Sequence, residues 1–208
     1  DDFSEAVKQL SASFTVAPNQ DLTSFTTPAV KMLDAGKFEE AGTVLGFGNQ
    51  TFPLSADIKY LLARSEKGLG NEDTASANAI AAAALSPTYI DPTFDDLDLP
   101  QSKVRDGYLS LAWGLYFAGQ NERALKRFEQ YIDNGGTERT AQLGRGWSAL
   151  AIGDVSKASA AFNIALEAGE DADVYAGLGH VALNNENDAE AEDHFRRSLK
   201  LIPGYISA

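Results

Sequence analysis

Two tryptophans are the residues of this chain best suited to recognition. Trp113 and Trp147 are the only two among its 208 residues, and they stand 34 positions apart. Each belongs to a stripe at helical spacing: Leu109, Trp113 and Tyr116 in one case, Leu143, Trp147 and Leu150 in the other. At 3.6 residues per turn the first of these lies about 100° around its helix from a core stripe of Tyr108, Leu111, Ala112 and Leu115. The chemistry such side chains offer is contact and desolvation, and tryptophan is enriched where partners bind most tightly. Arg64, with Tyr60 beside it, and His180, with Leu183 beside it, take the same place on two other helices. The competing arrangement packs both tryptophans between neighbouring helices as core.

Bond-making chemistry has little support. There is no cysteine, which removes disulfides, thiolate metal sites and cysteine nucleophiles together. The two histidines, His180 and His194, lack the spacing of a helical metal site. Gly144-Arg145-Gly146 and Gly177-Leu178-Gly179 follow no strand, so they read as packing glycines rather than phosphate loops. Asp95-Asp96-Leu97-Asp98 gathers carboxylates without the glycine and glutamate of a calcium loop. The expectation is a protein without catalytic residues, cofactor or metal. A net charge of -13 speaks against nucleic acid and anionic lipid surfaces. No apolar run approaches the roughly 20 residues that span a bilayer, so membrane insertion is not expected either.

The elements that must position the tryptophans recur with the same period. Leu111-Ala112 precedes Gly119, Ala124, Phe128 and Tyr131. Arg145-Gly146 precedes Gly153, Ala158, Phe162 and Ala165. Leu178-Gly179 precedes Glu186, Ala191, Phe195 and Ser198, and the copy closes on Pro203. The segment from Lys59 to Pro87 follows the same plan with Ala63, Gly70, Ala75, Ala79 and Ala82, and Met32 to Ala41 supplies one more turn. A period near 34 residues means stacked helix pairs, none of which can bury its apolar face alone. The expected division is an N-terminal helix and linker over 1–21, two pairs over 22–87, an insert over 88–104, three pairs over 105–205 with the last as cap, and a tail over 206–208. Asp2 and Glu5 form a capping pair for the first helix, whose stripe is Phe3, Val7, Leu10 and Phe14. Thr27-Pro28 is expected as the N-cap and first residue of the next helix.

This pattern resembles the tetratricopeptide repeat. Leu178-Gly179, Ala191, Phe195 and Pro203 carry its signature, and Gly36-Lys37-Phe38-Glu39-Glu40-Ala41 its turn. Arg145 in place of leucine and Glu186 in place of the turn glycine depart from it. The resemblance implies an all-α, right-handed solenoid of about five helix pairs, and a protein-interaction role. It implies that the second stripe lines a concave groove, made here of Tyr60, Arg64, Leu109, Trp113, Tyr116, Leu143, Trp147, Leu150 and His180. Leucines and tryptophans stand where some members grip a partner's C-terminal carboxylate with basic residues. An apolar or amphipathic protein segment is therefore the expected partner.

The insert holds two prolines and four aspartates, and is expected to exclude a regular helix through most of its length. Its apolar residues predict that Tyr89 or Phe94 folds back to fill the place left thin by Ala79, where later copies carry phenylalanine. The insert, or residues 1–20, filling the groove in cis is a further arrangement. Nine carboxylates and no lysine or arginine fall between Ala158 and Phe195, a solvated face or a docking face for a basic partner. The leading expectation is a binding scaffold, set in a bacterial cell-envelope, pilus or secretion assembly. That setting, periplasmic rather than cytoplasmic, rests on the acidic, cysteine-free chain and on its opening at Asp1 as if a leader had been removed. A self-associating structural module and a regulatory portion of a larger protein are the alternatives.

Overall fold

The computed structural model describes residues 21–204. The helix expected over Asp2–Phe14 and the 206–208 tail lie outside them. The described residues form α1 (Thr23–Asp34), α2 (Phe38–Thr51), α3 (Ala56–Gly68), α4 (Glu72–Leu85), α5 (Pro87–Phe94), α6 (Gln101–Phe117), α7 (Asn121–Asp133), α8 (Arg139–Ala151), α9 (Val155–Glu167), α10 (Ala172–Asn184) and α11 (Asp188–Leu201), with no strand among them. Ten of these make five consecutive pairs, and α5 is the addition. The fold is all-α and solenoid-like. The chain divides into two compact units at Ser110/Leu111, inside α6.

One turn closes all five pairs. At Gly36, Gly70, Gly119, Gly153 and Glu186 the backbone enters the left-handed region, with φ of 72°, 81°, 73°, 81° and 58°. The residue after each donates its N–H to the carbonyl five positions back: Lys37 to Met32, Asn71 to Glu66, Gln120 to Leu115, Asp154 to Ala149 and Asn187 to Ala182, all at 2.8–2.9 Å. This bond satisfies a carbonyl that the helix end leaves open, and it sets the reversal angle. Glycine has no Cβ to strain there, whereas Glu186 does. Glu186→Gly is expected to stabilise the last pair by about 0.5–1 kcal/mol, read as a raised urea midpoint. An unchanged or lowered midpoint would show that the strain is already absorbed.

In the unit ending at Ser110, Phe25, Ala29, Met32, Leu33, Ala41, Val44, Leu45 and Leu61 pack as one apolar cluster. Helix α1 starts earlier than Thr27-Pro28 implied. The Asp21 carboxylate accepts the Ser24 N–H at 3.0 Å and both the Thr23 and Ser24 hydroxyls, a stronger initiation site than Thr27. Those hydrogen bonds, that from Thr23 first, lower the Asp21 pKa below its usual value. Pro28 sits inside the helix, where only one backbone bond is forgone.

The insert is helical through most of its length, although it holds Pro92 and Pro100, and its first helix begins one residue before it. Pro87 occupies the first position of α5, where an N–H would have no partner, and Pro92 removes a single bond. Asp95–Leu97 add a 3-10 turn, and Asp98 enters the left-handed region at φ 46°. Ile90, Phe94 and Leu97 are buried with Val104 and Tyr108 of α6. Phe94, rather than the exposed Tyr89, is the aromatic that folds back. It meets Tyr108 edge-on at 5.6 Å between centroids and lies against Gly107 beside Ile80.

In the unit from Leu111 onward, phenylalanines of the second helices lock into glycines of the first helices. A Cβ on Gly146 would stand 2.6 Å from Phe162, and one on Gly177 2.4 Å from the same ring. Gly144 is matched in this way to Phe128, and Gly179 to Phe195. Close approach of helix to ring is what these glycines permit, and it fixes the height at which each first helix presents its remaining faces.

Candidate functional site

Each first helix of the second unit turns one face to its phenylalanine and the next face outward. On α8, Gly146 meets Phe162 and the following residue, Trp147, is half-buried. The Trp147 indole is anchored on three sides. It packs edge-on to Phe162 at 5.2 Å and to His180 of α10 at 5.7 Å, and its N–H donates to the Asp173 carboxylate at 3.1 Å. Asp173 is itself placed by the first turn of α10, where Asp171 accepts its N–H at 2.8 Å as the cap. An indole held this way presents a fixed surface at small cost in side-chain entropy on binding.

Tyr116 from α6, Trp147, Leu150 and Ala151 from α8, and His180 and Asn184 from α10 line one pocket of about 260 Å³. Four of the residues expected in the groove therefore converge from three successive first helices. Burial first, and the Asp173 charge second, push the Tyr116 phenol above its ordinary pKa. Trp113 is placed differently. It stacks on Phe117 at 5.6 Å, with 25° between ring planes, and packs edge-on to Tyr116 and to Phe128. Leu143 is only 6% exposed and belongs to the core cluster with Phe162 and Leu178, so its stripe reaches the surface one turn later, at Trp147. Both tryptophans are thus half-buried, each packed against the phenylalanine of its own pair.

Tyr60 and Arg64 lie on the first unit, in a pocket of about 510 Å³ with Phe38, Lys67, Gly68, Asp96 and Leu97. Leu109, half-buried, is also in that unit's share of α6. Two of the pocket's walls are the insert's own residues. Lys67 bonds the Asp98 carboxylate at 2.9 Å and also the Asp98 carbonyl, holding the 3-10 turn onto α3. Arg64 pairs with Asp34 at 3.3 Å. Here the insert lies on the outward stripe of α3, beside the residues expected to receive a partner.

Three surface residues escaped the sequence reading. Phe117 is 79% exposed although it stacks on Trp113. Ala151 and Asn184 hold the matching positions on α8 and α10. All three stand four residues after the outward residue of their helix, Trp113, Trp147 or His180, and that i,i+4 relation was the available signal. Among the described residues no group of three histidines, acids or cysteines is gathered as a metal would need. No described helix is long and apolar enough to cross a membrane.

The family model described as Tetratricopeptide repeat matches residues 109–172 and 143–206. No curated protein matches the chain in sequence. Among solved structures the chain is similar to YrrB, described as a TPR protein with an unusual peptide-binding site. The two share 14% identity, with 99% of this chain and 94% of that one covered, at a TM-score of 0.51. It is also similar to MamA (41-end) from Desulfovibrio magneticus RS-1, at 16% identity, 92% and 100% coverage and a TM-score of 0.47. TTC0263, a thermophilic TPR protein from Thermus thermophilus, shares 20% identity over 88% and 93% of the chains with a TM-score of 0.41. Residues 109–206 belong to the tetratricopeptide-repeat family, with the pairing and turn geometry described above.

Proposed function

We propose that this chain is a non-enzymatic scaffold that docks an apolar or amphipathic protein segment on the first-helix face of its second unit. The observation that carries the reading is the convergence of Tyr116, Trp147, Leu150 and His180 on one pocket, with Trp147 fixed by Phe162, His180 and Asp173. Aromatic side chains already immobilised before binding are the usual composition of an interaction hot spot. The peptide-binding site named for YrrB, a protein of the same fold, supports the reading. On the first unit the insert lies beside Tyr60 and Arg64, which favours the second unit as the docking face. The acidic, cysteine-free composition supports a setting in a cell-envelope, pilus or secretion assembly.

Trp147→Ala is expected to weaken capture of the partner at least tenfold, while circular dichroism stays that of the helical wild type. Capture is measured by crosslinked pull-down with each variant. If a folded Trp147→Ala retains every partner of the wild type, the docking face lies elsewhere. A second reading, self-association, is favoured by Phe117, which is 79% exposed on top of Trp113. Light scattering separates the two, because a mass that does not rise with concentration removes the second.

A further inference from the structure

We propose that the pocket lined by Tyr116, Trp147 and His180 accepts a basic side chain, lysine or arginine, from the docked segment. This rests on the docking reading above and adds the chemistry of the residue that enters. The walls are of two kinds. Leu150, Ala151 and the three rings suit an aliphatic stem, while Asn184 offers a polar side chain to a cation. Ring faces attract cations through their quadrupole, and tyrosine and tryptophan do so most strongly. The Asp173 carboxylate accepts the Trp147 indole N–H, and its charge, after burial, raises the pKa of the Tyr116 phenol that shares the pocket with Trp147. Asn184 donates its amide N–H to the His180 carbonyl at 2.9 Å, which leaves its own side-chain oxygen as an acceptor.

Charge complementarity argues in the same direction. No lysine or arginine lines the pocket. Asp173 lies within the stretch from Ala158 to Phe195 that holds nine carboxylates and no basic residue. A chain carrying -13 overall draws basic segments toward it and repels acidic ones. A purely apolar side chain would fill the stem region but would leave the Asn184 oxygen, which lines the pocket, desolvated without a donor.

The probe is N-acetyl-lysine-methylamide, titrated into the whole chain and followed by the two indole N–H resonances, which Trp147→Phe assigns. N-acetyl-norleucine-methylamide, equal in stem length but uncharged, is the control. The lysine compound is expected to shift the Trp147 indole saturably and the norleucine compound to shift it far less. Asp173→Asn, whose side-chain oxygen can still accept the indole N–H, is expected to weaken the lysine response about fivefold, and 0.5 M salt should act the same way. An equal response to norleucine, no response to lysine, or an Asp173→Asn response like the wild type overturns the inference. Partner capture that is lost in Trp147→Ala while the lysine response is absent overturns this inference alone. Capture retained in Trp147→Ala overturns the docking reading beneath it.

Discussion

Phe162→Ala is expected to lower the stability of the second unit by about 3–5 kcal/mol, the upper range for truncating a core aromatic. Phe162 is fully buried and links three helices: its own α9, α8 through Gly146, and α10 through Gly177. A large-to-small change costs least where neighbours can collapse into the space. Here two of the neighbours are glycines, which have no side chain to move, so the void persists and its walls lose their contacts. Trp147, whose edge-on contact with the Phe162 ring is 5.2 Å between centroids, also loses its floor. Both tryptophans lie in the second unit, so urea unfolding followed by tryptophan fluorescence reports on it directly. Phe162→Leu, which keeps most of the volume, should cost less than half as much. A loss below 1 kcal/mol for Phe162→Ala would mean that α8 and α10 close on each other without the ring.

The stacking was legible in the sequence because it is written as a period. Ala63, Ala112, Gly146 and Gly179 recur where a first helix must approach closely, and the left-handed turn residue recurs with them. That signal survives Glu186, because the hydrogen bond from Asn187 to Ala182 forms whatever side chain takes the left-handed position. The insert was misread for a local reason. Proline is a breaker in a helix interior but a good first residue, and only the position of the helix start decides between the two. Ser86-Pro87 has the same form as Thr27-Pro28, but it stands where a repeat closes on proline, and the two roles share one pattern.

The site was half legible. The outward stripes follow from 3.6 residues per turn, and the convergence of Tyr116, Trp147, Leu150 and His180 follows from stacking them in phase. Whether a member of a stripe is at the surface depends on neighbours the period does not specify. Leu143 is buried because α8 is packed on both sides near its start, whereas Trp147, one turn on, is half-exposed. The anchoring of Trp147 by Asp173 joins residues 26 apart on different helices, a contact that no motif announces. The same holds for the grip of Lys67 on Asp98, which brings the insert to the outward stripe of α3.

Gly144→Ala sets two known effects against each other, and the geometry decides the sign. In an open helix interior the change gains about 1 kcal/mol, since alanine is the better helix former. At Gly144 the new Cβ would stand 2.0 Å from Cζ of Phe128 and within 2.6 Å of both Cε atoms. Phe128 is fully buried, and Trp113 packs edge-on to it at 5.1 Å, so the ring has no free direction in which to retreat. Overpacking of this kind costs about 1–3 kcal/mol and at so short a distance falls at the top of that range, so a net loss of about 2 kcal/mol is expected once the helix gain is deducted. Gly46, also inside a helix, has nothing within 4 Å of its Cβ position, and Gly46→Ala should stabilise by about 0.5–1 kcal/mol. Opposite signs for one substitution at two helical glycines separate packing from propensity. Pairing Gly144→Ala with Phe128→Leu should recover part of the loss, and the coupling in that double-mutant cycle measures the ring-against-glycine contact itself. Additive losses would mean that α8 shifts as a whole to admit the methyl group. Trp147 would then move with it, and the pocket, not the core, would register the change.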